Sequence, residues 1–193
     1  MDESTDGVTT YTAFVFFILD QYRGMERVCA PLFAMTRHLD RTTPYALVPI
    51  SLYHDVCNWI EDNLGVASVR DAGRKVGAQV LAHMRKTGSI GTRYTPNEVL
   101  DELTRSARVG VQDPRGRGWE MLDSADGRVV MRRTQTFHCV LQEGLLLALV
   151  EPSGVLMPRV DHRACTRRQA PFCEYEVRWL VKKESRAISV VGR

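Results

Sequence analysis

Apolar residues recur at helical spacing through the first third of the chain. A spacing of three or four residues is typical of the buried face of a helix. We therefore predict three helices, the first two separated by Gly24 and the third preceded by a loop over "TTPYALVP". The third helix is predicted to begin at the N-cap Ser51 and to end at Gly65. The three apolar groups are Phe14, Phe17 and Ile18; Leu32, Met35 and Leu39; and Val56, Trp59, Ile60 and Leu64.

Two further helices are predicted before residue 110. The first runs from Val69 to about Lys86 and carries Gly73 and Gly77. Glycines lower helix propensity but let a neighbouring backbone come close, so we expect tight packing against this helix. The second opens at Thr95, with Glu98 three residues later, which is the spacing of a capping box.

The pattern changes to strand-like alternation near Gly118. "RGWEMLDSADGRVVMRRT" alternates on either side of a "DSADG" turn, as a hairpin does. "FHCVLQEGLLLALVEPSG" is then a predicted helix bounded by Pro152 and Gly154.

Two strands, "VLMPRVDH" and "CEYEVRWLV", follow that helix. The second has an alternating face that consists of Cys173, Tyr175, Val177, Trp179 and Val181. Antiparallel pairing of the strands gives an α+β fold, in which an N-terminal helical layer packs on one face of a small antiparallel sheet.

Composition and charge restrict the class of protein. A chain of 193 residues with 44% hydrophobic and 25% charged residues is long enough for one self-sufficient core. A net charge of +3 is too small to predict nucleic-acid binding. The apolar run Ala13–Leu19 is too short for a membrane span, and the acidic leader is unlike a secretory signal. We therefore expect a cytoplasmic protein, with a disordered segment at 1–9, a single ligand-binding domain at 10–182 and a flexible tail at 183–193.

The stretch "HRACTRRQAPFC" carries the most specific chemical signal. It places His162, Cys165 and Cys173 around a predicted hairpin, while Cys139 begins the preceding helix, where the positive end of the helix dipole favours a thiolate. Four such ligands fit a closed, tetrahedral, structural zinc site that clamps the hairpin to the helix start. Two alternatives remain open: ordinary buried cysteines, or a Cys165–Cys173 disulfide, which a reducing compartment disfavours.

The same residues resemble the 4-vinyl-reductase-type small-molecule-binding domain. In that family a cysteine opens a helix, and "E-x-x-C" leads through "G-D-P-x-C" to a final strand; the corresponding stretches here are "HCVLQEGLLLALVEPSG", "HRAC" and "QAPFCEYEV". Cys139, Cys165 and Cys173 match the zinc cysteines of the phenol-sensing members, and His162 stands in place of a glutamate. Gln169-Ala170 replaces the usual Gly-Asp of the turn.

A looser likeness covers the upstream part of the chain. "YALVPISLYHDVCNWIEDNLG" is similar to the N-terminal region of bacterial relatives of the haem-nitric-oxide-binding fold. This superfamily also includes transport-particle subunits, and the resemblance implies a helix-covered sheet around an apolar pocket. Trp119 lies near the position of a pocket tryptophan in phenol-sensing relatives. The other candidate pocket residues are Phe137, His138, Trp59 and Tyr53.

We therefore expect a sensory or carrier module that binds a small hydrophobic or aromatic ligand, contains zinc and acts through a downstream signalling protein. A haem-based gas sensor is the first alternative, with His54 or His83 as axial ligand; the sequence lacks a "Y-x-S-x-R" triad and a C-x-x-C-H motif. A dimerising adaptor that uses the stretch Phe14–Leu19 is the second. The absence of nucleophile-elbow, P-loop, Rossmann and metalloprotease motifs argues against an enzyme.

Overall fold

The computed structural model describes residues 4–181, which form six α-helices and two antiparallel sheets. The helices are α1 (Thr12–Leu19), α2 (Ala30–Thr36), α3 (Ile50–Leu64), α4 (Val66–Thr87), α5 (Pro96–Gly110) and α6 (Cys139–Val150). The strands are β1 (Thr9–Tyr11), β2 (Leu47–Pro49), β3 (Val111–Gln112), β4 (Trp119–Ala125), β5 (Arg128–Arg133), β6 (Leu156–Ala164) and β7 (Cys173–Leu180). The expected mixture of helices and antiparallel sheet is therefore confirmed. Among these described residues, no helix combines the length and apolarity needed to cross a membrane.

The domain boundaries differ from the prediction at the N-terminus. Val8 is buried and Thr9 begins β1, so the ordered part starts before residue 10. The predicted tail at 183–193 lies outside the described residues.

Local sequence signals determine two helix ends as expected. Thr95 and Glu98 form the complete capping box at the start of α5. Gly65 ends α3 with a φ of 87°, a left-handed conformation that glycine adopts without strain. The same residue precedes α4, which therefore begins at Val66 rather than at Val69.

The start of α3 and the smaller sheet were not predicted correctly. The helix begins at Ile50, directly after Pro49, and has no side-chain cap, so Ser51 is not its N-cap. Part of the predicted "TTPYALVP" loop is strand β2, which pairs with β1 in a sheet of order β2-β1-β3. These strands have two or three residues each, too few for alternation to be recognised in the sequence.

The larger sheet has the strand order β4-β5-β7-β6 and contains the predicted hairpins. In β7, Cys173, Tyr175 and Val177 are fully buried on one face, as the alternation predicts, whereas Val181 lies beyond the strand and is exposed. Glu176 on the opposite face is also buried, where it forms an ion pair with Arg128. Both faces of β7 are thus buried near Glu176, so the alternation of polar and apolar residues in the sequence predicted only one of its buried faces.

The backbones of α4 and α6 come into direct contact at glycines. A Cβ atom added to Gly73 would lie 2.0 Å from the carbonyl oxygen of Leu141, and one added to Gly144 would lie 1.9 Å from that of Arg70. A Cβ atom on Gly77 would meet the carbonyl oxygen of Leu145 at 2.6 Å. The tight packing that the sequence predicts against this helix is therefore present, and its partner is α6.

Helix α1 belongs to the core. Val15, Ile18 and Leu19 are buried, while Phe14 and Phe17 are half-buried. The stretch Phe14–Leu19 therefore packs with the core, and the adaptor alternative gains no support from it.

Replacement of Gly144 by alanine should destabilise the protein by about 2 kcal/mol or more, because the new methyl group meets backbone that cannot rotate away. Gly118→Ala is the matched control, since its Cβ would contact only the movable side chain of Arg108, at 3.3 Å. Urea unfolding measures both changes. Equal stability of the two variants would contradict the backbone contact.

Candidate functional site

Three potential metal ligands converge where the start of α6 meets the β6–β7 connection. Cys139 is the first residue of α6, His162 lies near the end of β6, and Cys165 follows that strand. The ligand atoms of these residues all lie within 4.8 Å of one another, and the two sulfur atoms are 3.7 Å apart. Two thiolates bound to tetrahedral zinc at about 2.3 Å are separated by about 3.8 Å. The sulfur spacing therefore matches a zinc site.

The ring of His162 is held in an orientation suited to a metal ligand. Its Nδ1 atom lies 3.2 Å from Oε1 of Glu143, and the ring stacks on Tyr175 with a centroid distance of 4.4 Å. Nε2 is buried and has no hydrogen-bond partner. A carboxylate that fixes one ring nitrogen while the other faces a metal is a recurrent arrangement in zinc sites.

Glu143 is in turn fixed by Arg70, whose Nη2 donates to Oε2 at 2.8 Å. Burial alone would raise the pKa of Glu143, but its hydrogen bonds with His162 and Arg70 hold the pKa below the ordinary value. Glu143 was not identified from the sequence. Its position four residues after Cys139, on the same face of a helix, is the signal that would have indicated it.

Cys173, the fourth predicted ligand, lies beside this group of three. Its Sγ accepts a hydrogen bond from Nη2 of Arg133 at 3.0 Å and lies 3.5 Å from Oγ1 of Thr166. It also interacts with the Cys139 thiol and the His162 ring, although it is not part of the compact group that the other three residues form. The structure thus brings three of the predicted ligands together and places the fourth next to them.

The protonation states of the cluster are interdependent. A hydrogen bond from Cys139, aided by His162 and Arg133 and opposed by burial, lowers the pKa of Cys173. The same bond and burial raise the pKa of Cys139. Burial alone would lower the pKa of His162, but its interactions with Cys173 and Glu143 raise it to about 9. The five cysteines are free, so the alternative of a Cys165–Cys173 disulfide is not realised.

A large cavity of about 640 Å³ lies behind this site, next to α1, α4 and α5. Three of the predicted pocket residues, Trp119, Phe137 and Tyr53, line it. Most other lining side chains are aromatic or aliphatic. They include Phe14, Phe16, Phe17, Val76, Val80, Leu103 and Leu145.

The remaining predicted pocket and haem residues are distributed differently. His138 and His54 line a second, smaller cavity of about 250 Å³, which shares Phe137 with the large one. Trp59 packs against the core and lines neither of these two cavities. His83 lines the large cavity from α4 and is exposed.

Burial dominates the electrostatics of the two histidines at the small cavity. It lowers the pKa of His54 from 6.5 to about 4, with a further contribution from His138. It also lowers the pKa of His138, although the hydrogen bond with Glu61 acts in the opposite direction.

Comparisons with solved structures identify proteins of the same fold. An H-NOX protein from S. oneidensis in the Fe(II)NO ligation state superposes with a TM-score of 0.64 at 13% sequence identity, covering 88% of this chain and 99% of that one. An unliganded Fe(II) H-NOX mutant from K. algicida gives a TM-score of 0.63 at 11% identity, with 89% and 97% coverage. The H-NOX domain from Shewanella oneidensis in the Fe(II)CO state gives 0.60 at 12% identity, with 86% and 97% coverage.

These similarities establish the haem-NO-binding type of fold. No protein-family model matches the sequence, and no curated protein matches it. The resemblance to 4-vinyl-reductase-type domains therefore has no independent support, whereas that to the haem-nitric-oxide-binding fold is confirmed at the level of the fold.

We expect stability to decrease as the pH falls from about 6.5 to about 4, in part because of His54. The unfolded chain takes up a proton on this histidine near pH 6.5, whereas the folded chain does so only near pH 4. Protonation of His54 lowers the free energy of unfolding by about 3 kcal/mol in total, and this loss levels off below pH 4. His54→Gln should flatten this part of the profile, measured by urea unfolding from pH 4 to 8. His38→Gln changes a histidine at an exposed position and should leave the pH profile unchanged. An unchanged slope in His54→Gln would contradict the assignment of this pH dependence to His54.

Proposed function

We propose that this protein is a sensory or carrier module that binds a small hydrophobic or aromatic molecule in the large cavity. The observation that carries the proposal is the cavity itself, because its volume of about 640 Å³ lies within the range of about 300–1,000 Å³ found for small-molecule and cofactor sites. Phe137 packs edge-on against both Tyr53 and Phe14, with centroid distances of 5.1 and 6.3 Å. An aromatic occupant would add to this arrangement of rings.

The charged residues in the lining favour an uncharged occupant. Arg41 forms an ion pair with Asp20 at 2.8 Å and stacks over the ring of Phe16. Arg105 forms an ion pair with Glu102 at 2.9 Å and another with Asp101. Both arginines are thus compensated by carboxylates, and neither requires a charged group on the ligand.

We further propose a structural zinc ion bound by Cys139, His162 and Cys165, with Cys173 completing the tetrahedron. The 3.7 Å sulfur separation, the unpartnered Nε2 of His162 and the supporting carboxylate of Glu143 favour it. Four protein ligands leave no position for an activated water, so the ion would stabilise the contact between α6 and the β6–β7 connection. A non-enzymatic role, with output through a partner protein or a homodimer, agrees with such a closed site.

Haem in the large cavity is a second candidate, favoured by the fold shared with Fe(II) H-NOX proteins. The size and apolarity of the cavity suit haem, and His83 would be the axial ligand because it is the only histidine in the lining. Its ring is exposed, and among the described residues no side chain hydrogen-bonds to it, in contrast to His162. His83 therefore lacks the orienting hydrogen bond that His162 has, whereas the shared fold and the cavity favour haem. His54 lies at the other cavity and is not a suitable axial ligand.

Zinc binding is tested by native mass spectrometry and by competition with a chromophoric chelator. We expect one zinc ion per chain, no zinc in Cys165→Ser, and an affinity lower by roughly 10- to 100-fold in Glu143→Gln, because the imidazole loses the carboxylate that orients it. Cys29→Ser changes a buried cysteine outside the cluster and should retain the metal. Metal retention by the Cys165 variant would contradict the site.

The occupant of the large cavity is tested with 1-aminoanthracene, an apolar fluorescent probe. Ala107→Phe places a phenyl ring in the cavity and should weaken binding by about tenfold or more, since the added volume occupies the binding space. Ala78→Phe adds the same ring at an exposed position on α4 and should leave the affinity unchanged. Equal affinities for both variants would contradict ligand binding in this cavity.

Haem addition distinguishes the two candidates. One haem per chain with a Soret band that His83→Ala abolishes would establish the second candidate and displace the first. Retention of an organic molecule by protein purified from cells, without a Soret band after haem addition, would support the first.

A further inference from the structure

The small cavity lies directly beside the cysteine and histidine cluster. Its walls are formed by α3, by residues 133–138 between β5 and α6, and by the β6–β7 connection. Cys139 and Thr166 line it on the side of the cluster, and the exposed residues Asn58 and Arg167 line it towards the surface. Its volume of about 250 Å³ is suited to a small polar molecule.

A buried arginine without a carboxylate partner lines this cavity. Arg133 is 3% exposed, and its guanidinium donates to the carbonyl oxygens of Gln135 and Phe137 and to the sulfur of Cys173. Its Nε atom has no hydrogen-bond partner. Among the described residues no aspartate or glutamate forms an ion pair with it. The Cys173 sulfur and two carbonyl oxygens thus bind the Nη groups, and the Nε–H is left available to a further acceptor.

The carboxylate of Glu61 is engaged by two residues that line the cavity. Glu61 accepts a hydrogen bond from Arg167 at 2.8 Å and lies 2.8 Å from Nε2 of His138. It therefore holds the wall of the cavity in position rather than neutralising Arg133.

Four further buried polar atoms on residues that line the cavity have no hydrogen-bond partner: Oε1 of Gln135, Oγ1 of Thr136, Nε2 of His54 and Nδ1 of His138. Gln135 and His138 are 3% and 4% exposed, so solvent at the surface does not satisfy them. Native proteins leave few buried polar atoms unsatisfied, and several around one cavity point to a bound polar group.

The chemistry of these atoms specifies the ligand. The Nε–H of Arg133 is only a donor and Oε1 of Gln135 is only an acceptor, whereas a hydroxyl and an imidazole can act in either role. The cavity also includes Cys139 at the start of α6, a helix end with free N–H groups, a positive dipole and no side-chain cap. The ligand must offer negatively charged oxygen atoms and at least one O–H group.

We propose that the small cavity binds a small hydrogen-bearing oxyanion, of the hydrogen phosphate or bicarbonate type. Its charged oxygens accept from Arg133, Thr136 and the start of α6. Its O–H group donates to Gln135 or to an imidazole nitrogen. This site is separate from the large apolar cavity and does not depend on the function proposed for it.

The test is calorimetric titration of the full chain with sodium phosphate, sodium bicarbonate and sodium acetate, each against sodium chloride at matched ionic strength. We expect saturable binding of one phosphate or one bicarbonate per chain, and weaker binding of acetate, which lacks the O–H group at neutral pH. If phosphate binds and bicarbonate does not, the ligand belongs to the phosphate class. If bicarbonate binds and phosphate does not, it belongs to the carbonate class.

Two variants locate the site. Thr136→Val removes a hydroxyl that has no partner in the protein and should fold. His54→Phe keeps an aromatic ring but removes both ring nitrogens, one of which interacts with the Thr136 backbone, so urea unfolding must first show that this variant is folded. Each should weaken anion binding by about tenfold, as expected for the loss of one hydrogen bond to a charged group. Thr104→Val, on α5 and outside the cavity, is the control. The proposal would be overturned if no oxyanion bound saturably, or if neither variant weakened the binding. The cavity would then contain only water.

Discussion

The backbones of α4 and α6 touch because Gly73 and Gly144 have no side chains to separate them. This contact fixes where α6 begins and how it is rotated, and so it determines the position of Cys139 at its first turn. Arg70 donates across the same contact to Glu143, which in turn orients His162. The geometry of the candidate metal centre therefore depends on an interaction between two helices, of which only α6 contributes a ligand, Cys139. Gln142 and Leu145 of α6 line the large cavity, so one contact positions both features.

The two cavities differ in how their polar groups are satisfied. The charges at the large cavity are compensated within the protein, as in the ion pair between Arg41 and Asp20. At the small cavity, Arg133 is buried with no carboxylate partner among the described residues. The fold shared with H-NOX proteins at 9–13% identity fixes the arrangement of helices and sheet. The side chains that line each space then determine what each can hold.

Features determined by neighbours in the sequence were predictable, and features determined by distant contacts were not. The capping box at Thr95, the helix end at Gly65 and the buried face of β7 depend on local backbone preferences and short periodicity. The convergence of Cys139 with His162 and Cys165 followed from the predicted hairpin and helix start. The carboxylate of Glu143 and the guanidinium of Arg133 gain their roles only from residues far away in the chain. The strands β1, β2 and β3 are too short for an alternation of polar and apolar residues to be recognised in the sequence. Pro49 rather than Ser51 precedes α3, because β2 continues directly into the helix.

Phe137 is a wall of both cavities, with its ring packed against Tyr53 and Phe14. A rotation of this ring would alter the shape of both spaces. An occupant that prefers one rotamer therefore changes the free energy of filling the neighbouring space, and thermodynamic linkage requires the reverse effect to have the same size. A single aromatic partition thus gives the fold a means of coupling an apolar compartment to a polar one, without movement of any helix.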